Sequence, residues 1–186
     1  MERIDFNTKH FKGFDQDEKI LLDTGIILAL ANEYDSWHGT VKELFDKYIL
    51  SEIQSLFLYI NPTILNEITH LADKPFVNYV NKHTEFDASG VNPRKIVDKT
   101  VTSIKTLIRD EVLLVIDGNK ESTIKQIELY KKLGSADAVN VSIANEFSLN
   151  ILTVDFKLSN NVYHSKRQLR NIPKVYYTNP GHQDYR

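Results

Sequence analysis

Residues 19–30 read Lys19-Ile20-Leu21-Leu22-Asp23-Thr24-Gly25-Ile26-Ile27-Leu28-Ala29-Leu30, and this stretch decides the fold. After the opening lysine, its one charged residue is Asp23. A few apolar residues ending in an acid, then a small turn and a longer apolar run, predict a buried strand followed by a helix. Because an unpaired carboxylate is unfavourable in apolar surroundings, Asp23 is expected to be paired, metal-bound or at the mouth of a cleft.

The composition is that of an ordinary globular domain. The chain has 186 residues, of which 41% are hydrophobic and 26% charged, and we expect one domain spanning residues 1–186. No membrane-length apolar run and no secretion signal are present, so a cytoplasmic protein is expected. The absence of cysteine excludes disulfides, thiolate metal ligands and a cysteine nucleophile. Any chemistry therefore uses oxygen and nitrogen groups.

The remaining apolar segments extend the strand-then-helix pattern along the chain. Five strands are predicted, at residues 19–23, 55–60, 111–117, 150–154 and 174–178, with helical spacing between them. Such alternation predicts an α/β fold, a three-layer α/β/α architecture with a central, mostly parallel five-stranded sheet. Residues 1–18 lack sustained periodicity and are predicted to be an N-terminal arm. Residues 73–110 are predicted to be an inserted helical hairpin.

Three helix boundaries are marked by local signals. Asn61-Pro62 is a typical helix start, and Gly134 is a typical helix end. Ser135 is predicted to be the N-cap of the next helix. In the helix from about residue 121 to residue 133, the apolar residues predicted to face inward are Ile124, Ile127, Leu129 and Tyr130.

Four acids are expected at one edge of the predicted sheet. Asp23 and Asp155 follow strands, Asp137 lies in the first turn of a helix, and Glu67 lies in a helix whose side chains lean back toward its start. Alone, Asp137 could complement a helix dipole, Glu67 could be a solvated residue, and Asp155 could cap a turn. Together, clustered carboxylates repel one another unless a cation joins them. Oxygen ligands suit Mg²⁺ or Mn²⁺, ions that catalyse phosphodiester hydrolysis.

The order and spacing of these motifs resemble the PIN-domain ribonucleases, which include VapC-type toxins of bacterial toxin-antitoxin pairs. The resemblance runs from about residue 20 to residue 178. It rests on Leu21-Leu22-Asp23-Thr24-Gly25, Asp35-Ser36-Trp37-His38, Pro62-Thr63-Ile64-Leu65-Asn66-Glu67-Ile68, Ser135-Ala136-Asp137-Ala138 and Leu152-Thr153-Val154-Asp155-Phe156.

The resemblance implies a function and a set of site residues. It implies Mg²⁺- or Mn²⁺-dependent cleavage of RNA that leaves a 5′-phosphate, a homodimer and, for a toxin, an antitoxin partner. The implied catalytic and metal-binding acids are Asp23, Glu67, Asp137 and Asp155. Thr153 is implied as a catalytic polar support, with Thr24 and Ser135 as further helpers.

Other interpretations also follow from the residues. Lys166, Arg167 and Arg170 are predicted to contact RNA phosphates, although they could equally form a solvated basic surface. The Asp23-Thr24-Gly25 triplet resembles that of aspartic proteases, but only one copy is present and the helix-strand alternation disfavours that class. The alternative that stays open is a catalytically weak RNA-binding or scaffold protein acting through residues 73–110.

Overall fold

The architecture is an α/β fold with a parallel sheet at its centre. The structure is a computed structural model that describes residues 1–50 and 55–183. Within these ranges the strands are β1 Glu2–Asp5, β2 Lys19–Leu22, β3 Phe57–Ile60, β4 Leu113–Val115, β5 Asn150–Leu152 and β6 Lys174–Tyr177. The α-helices are α1 Thr24–Ala31, α2 His38–Leu44, α3 Pro62–Leu71, α4 Lys74–Lys82, α5 Pro93–Arg109, α6 Lys120–Leu133, α7 Ser135–Glu146 and α8 Phe156–His164.

The sheet has the order β1-β6-β5-β2-β3-β4, and every neighbouring pair is parallel. The predicted three-layer α/β/α class is therefore confirmed. In the central strand, Leu21 lies opposite Tyr59 of β3 and Ile151 of β5. Ile20 and Leu22 are fully buried, as expected for a strand with apolar neighbours on both faces. Because all strands are parallel, their carboxyl ends meet at a single edge, where ligands bind in open α/β sheets.

The sheet has six strands rather than the predicted five, because the prediction for residues 1–18 was wrong. Residues of β1 pair with β6, from Glu2 opposite Lys174 to Asp5 opposite Tyr177. The segment after β1 also enters the core, where the rings of Phe11 and Phe14 pack on Tyr176. Four strand residues and a few separated phenylalanines in a polar segment do not produce a regular hydrophobic period, which explains the error.

Helix α6 shows a second error. Leu129 is buried as predicted, but the three other residues predicted to face inward are exposed: Ile124 by 46%, Ile127 by 65% and Tyr130 by 48%. The helix packs on α7 and α8 instead through the side that carries Ser122, Leu129 and Leu133. Apolar residues occupy more than one side of this helix, so their spacing alone does not identify the buried side.

The predicted helix boundaries are mostly confirmed. Asn61 caps α3 by accepting a hydrogen bond from the Ile64 backbone N–H at 3.0 Å, and Pro62 is the first helical residue. Gly134 ends α6 with a φ of +93°, a conformation that favours glycine. Gly134 also precedes α7 directly, so Ser135 is the first residue of α7 and makes no capping bond. The N-cap prediction for Ser135 was wrong.

Residues 73–110 form two helices, α4 and α5, joined through a short 3₁₀ turn at Ala88–Gly90. Helix α5 packs on α1 and β4. Helix α4 is held by Tyr34, whose ring packs at 4.9 Å on Phe76 and at 5.3 Å on Tyr79. The division into one domain with an insertion stays a prediction. None of the helices in the described ranges has the length and apolar character needed to cross a membrane.

Candidate active site

Asp23 lies where β2 ends and α1 begins, at the carboxyl edge of the sheet. Its Oδ1 accepts a hydrogen bond from the Thr24 backbone N–H at 2.8 Å, which makes Asp23 the N-cap of α1. Its Oδ2 accepts a hydrogen bond from the Thr153 hydroxyl at 2.6 Å. The carboxylate is thus fixed at the end of the central strand by one bond to each oxygen.

Thr153 connects the two strand-end acids. This threonine is fully buried just after β5. While its hydroxyl donates to Asp23, the same oxygen accepts a hydrogen bond from the Asp155 backbone N–H at 2.9 Å. Asp155 in turn caps α8, because its Oδ1 accepts from the Leu158 backbone N–H at 2.9 Å. A carboxylate has about four lone-pair positions, so capping leaves Asp155 able to bind a cation.

Glu67 reaches the same place from α3. The Thr24 hydroxyl donates a hydrogen bond to Glu67 Oε2 at 2.6 Å. The backward lean of helical side chains brings this carboxylate from the second turn of α3 to the start of α1. Thr24, predicted as a helper, is therefore the residue that joins Glu67 to the end of β2.

Asp137 completes the group from the first turn of α7. The pKa of Asp137 is raised to about 7, chiefly by burial and in addition by the negative charges of Asp23, Asp155 and Glu67, while nearby Lys157 acts weakly in the opposite direction. Asp137 is therefore close enough to the three other acids for their charges to act on it.

The pKa of Asp23 is also raised, to about 6, with burial as the largest cause. The hydrogen bonds from Thr153 and Thr24 oppose this shift, and the charges of Asp155 and Glu67 add to it. A raised carboxylate pKa means that ionisation is unfavourable in the protein without a nearby cation. The site thus favours either a proton or a cation.

All four acids line one open pocket of about 460 Å³ at the carboxyl edge of the sheet. The parts of the chain that the structure describes contain no group of three or more His, Asp or Glu side chains already arranged to hold a metal ion. The chemistry of the donor set nevertheless fits Mg²⁺ or Mn²⁺, because these ions prefer carboxylate oxygens completed by water.

The predicted RNA-binding residues are not brought to this pocket. Lys166, Arg167 and Arg170 are exposed in the connection between the end of α8 and the start of β6. Strands of a parallel sheet begin at the edge opposite to the one where they end, so these three residues lie at the amino edge. Ser135 is exposed at the start of α7, two residues before Asp137.

The pocket also has walls that the sequence prediction did not assign to the site. They come from the loop after α1, from α3 and α4 and from the end of the described chain, and they include Asp35, Ser36, Trp37, Leu71, Asn78 and Gln183. Burial raises the pKa of Asp35, and its Oδ1 accepts from the Trp37 backbone N–H at 2.8 Å. Asp35, Ser36 and Trp37 belong to one of the stretches that carry the family resemblance, whereas nothing local marks Asn78 or Gln183.

Two solved structures are similar to this chain at low sequence identity. One is VapBC2 from Rickettsia felis, which was solved bound to a DNA fragment from its promoter. Its TM-score to this chain is 0.49 and its sequence identity is 17%, and the match covers 86% of this chain and 98% of that chain. FitAcB from Neisseria gonorrhoeae has a TM-score of 0.45 and 17% identity, covering 88% of this chain and 99% of that chain. No protein-family model and no curated protein matches. At this identity neither structure assigns a role to a residue of this chain.

Proposed function

We propose that this protein is a metal-dependent endoribonuclease that hydrolyses RNA phosphodiester bonds. The observation that carries the proposal is the convergence of Asp23, Glu67, Asp137 and Asp155 on one open pocket, where burial and the neighbouring carboxylates raise the pKa of Asp23 and Asp137. Acids kept for stability alone are normally paired with a base. These four come from four separate parts of the chain and meet at the ligand-binding edge of the sheet.

The proposed cofactor is Mg²⁺ or Mn²⁺, held by the four acids. When bound, such an ion would activate a water molecule and stabilise the charge on the attacking and leaving oxygens. The polar residues around the acids hold the ligands in place. Thr153 links Asp23 to the Asp155 backbone, and Thr24 fixes Glu67. Hydrogen-bonded supports of this kind orient ligands and contribute to metal affinity.

RNA as the substrate, and an antitoxin as a possible partner, are supported by the sequence resemblance to PIN-domain ribonucleases. The homodimer implied by that resemblance is also part of the proposal. The second candidate function is a catalytically weak RNA-binding or scaffold protein. The observation that favours it is that α4, from residues 73–110, contributes Asn78 to the wall of the acid pocket. Both candidates bind RNA, and only the first requires a bound cation for its activity.

The test is cleavage of a labelled single-stranded RNA by purified protein with Mg²⁺ or Mn²⁺, with and without a chelator. We expect cleavage that the chelator abolishes. Asp155→Asn should lower the rate by more than about a hundredfold, since several kcal/mol of transition-state stabilisation depend on the cation. Asp15→Asn is the matched control, because Asp15 is an exposed acid at the opposite edge of the sheet and should leave cleavage unchanged.

The two candidate functions give different results in this test. Metal-dependent cleavage that Asp155→Asn removes supports the nuclease. RNA binding without cleavage in every metal condition would leave the scaffold protein as the better account.

A further inference from the structure

The acid pocket extends beyond the four acids into a second part, which we call the aromatic end. It is lined by Trp37 and by Asp35, Ser36, Asn78 and Gln183. Leu28 and Leu71 also line the pocket, and they lie one helical turn after Thr24 and Glu67 respectively, which are joined by a hydrogen bond. One turn of helix advances by about 5.4 Å, so these leucines extend the pocket by about that distance along α1 and α3.

Trp37 is the single tryptophan of the sequence and lies partly exposed at this end. Hydrogen bonds on both sides of Trp37 hold the loop that carries it. The Trp37 backbone N–H donates to Asp35 at 2.8 Å, and the Ser36 hydroxyl accepts a hydrogen bond from Gln183 Nε2 at 2.5 Å. The Thr40 hydroxyl donates to the backbone carbonyl of His182 at 3.0 Å. The loop that carries the indole is therefore held in place before any ligand arrives.

The chemistry of the aromatic end suits a nucleobase better than a phosphate. It offers an indole ring, the Ser36 hydroxyl and the amides of Asn78 and Gln183, and Asp35 is the one charged side chain among these lining residues. Unpaired bases stack on aromatic rings and are read by hydrogen bonds to their polar edges. Side-chain amides provide both donors and acceptors for such edges. In a duplex the bases are already paired and stacked, so they are not available to this surface.

We propose that Trp37 stacks an unpaired base of single-stranded RNA next to the phosphodiester bond held at the four acids. This inference rests on the proposed nuclease function and adds to it the side chain that positions a base of the substrate. Asn78 and Gln183 contact the polar edge of the stacked base. Asp35 is a positioning residue, which acts by holding the backbone of Trp37.

The first measurement uses the fluorescence of Trp37, which has no background from other tryptophans. The wild-type protein is titrated, with Mg²⁺ present, with a phosphorothioate RNA that resists hydrolysis, in single-stranded and in duplex form. Stacking predicts saturable quenching by the single strand and little change with the duplex. Equal quenching by both forms overturns the inference.

The second measurement separates stacking from packing, because Trp37 also touches the core. Trp37→Leu keeps an apolar side chain without an aromatic ring, and Trp37→Phe keeps a smaller ring. Trp37→Leu should raise KM for single-stranded RNA by about 5- to 100-fold, with Trp37→Phe closer to wild type. Tyr130→Leu is the control, since Tyr130 is an exposed aromatic residue on α6, outside the pocket. Thermal unfolding of each variant checks that it is folded.

The outcomes distinguish this inference from the proposed function. If metal-dependent cleavage is present and folded Trp37→Leu shows the wild-type KM, the nuclease stands and the stacking inference is overturned. If the wild-type protein cleaves no RNA with any metal but single strands still quench Trp37, the nuclease fails. In that case the aromatic end is supported as an RNA-binding site.

Discussion

The two edges of the sheet both carry clustered acids, but their surroundings differ. At the amino edge, Lys174 contacts the carboxylates of Asp15 and Glu18, and the Tyr176 hydroxyl donates to Glu18 Oε2 at 2.7 Å. The hydrogen bond and charge of Lys174 lower the pKa of Asp15. At the carboxyl edge, the pKa of Asp137 is raised to about 7. The amino-edge cluster is paired with a base, whereas no base within residues 1–50 and 55–183 forms an ion pair with the four acids of the carboxyl edge.

This difference indicates a structural role for the amino-edge cluster and a ligand-binding role for the carboxyl-edge cluster. A cluster that is paired with a base links strands and keeps its charges, so it requires no cation or proton from solution. The carboxyl-edge cluster keeps its acids close together although their mutual repulsion is unfavourable. Such an arrangement is typical of a functional site, where groups are positioned for a ligand at a cost in stability.

After loss of an acid itself, the largest effect is expected from Thr153→Val, which removes the hydroxyl that joins Asp23 to Asp155. Loss of a residue that orients metal ligands typically lowers activity by about 10- to 100-fold. We expect kcat/KM for RNA cleavage to fall within that range and Thr153→Ser to restore most of it. The control is Thr178→Val, because Thr178 is also fully buried and its hydroxyl has no partner among the described residues. Equal loss in both variants would indicate a packing effect instead.

The next prediction concerns how the free energy of unfolding of the metal-free protein depends on pH. A folded-state pKa of about 7 for Asp137, above its ordinary value of 3.8, means that the folded protein binds more protons than the unfolded chain between these pH values. Stability should therefore fall as pH rises from about 4 to 7. Asp137→Asn should raise the free energy of unfolding at pH 8 by on the order of 2 kcal/mol, allowing for solvent screening, with no gain at pH 4.

At the amino edge of the sheet, Asp15→Asn should change the stability of the protein in the opposite direction. The lowered pKa of Asp15 contributes stability above its unfolded pKa, and that contribution is lost as pH falls through the folded pKa. The substitution should therefore destabilise the protein slightly at neutral pH and have no effect at low pH. Denaturant unfolding with a chelator present measures both variants. If the two show the same pH dependence, the contrast between the edges is wrong.

The smallest effect is expected from the triple variant Lys166→Ala, Arg167→Ala and Arg170→Ala. These residues lie at the amino edge, so cleavage of a short RNA that fills only the acid pocket should change by less than about twofold. If they contact phosphates as predicted, binding of a longer RNA should weaken and its salt dependence should decrease. Binding measured at several salt concentrations with both RNA lengths tests this. A strong loss with the short RNA would contradict the separation of the two edges.

Three of the four acids of the site could be predicted from the sequence because each is marked locally, whereas Glu67 was grouped with them through the backward lean of helical side chains. Asp23 and Asp155 follow apolar strands, and Asp137 lies in the first turn of a helix after Gly134. In a parallel sheet these local positions converge at one edge, so a linear pattern is enough to group them. Thr153, between β5 and Asp155, was implied as a polar support by the resemblance to PIN-domain ribonucleases rather than by its local pattern.

The remaining features depend on contacts between distant parts of the chain. The strand β1 is short and its partner β6 is about 170 residues away, so pairing rather than local pattern defines it. The exposed side of α6 follows from how the helix docks on α7. Asn78 and Gln183 reach the pocket because α4 and the end of the described chain fold against the loop around Trp37. No local residue spacing encodes these placements.

The most direct test of the central claim is Mn²⁺ binding to the acids, measured by electron paramagnetic resonance of the free ion without any RNA. We predict that the wild-type protein binds Mn²⁺ and that Asp23→Asn and Asp137→Asn each weaken the affinity by at least about tenfold. Asp15→Asn, at the paired edge, should bind as the wild type does. Equal Mn²⁺ affinity in all four proteins, or no binding by the wild type, would contradict the claim that the four acids form a cation site.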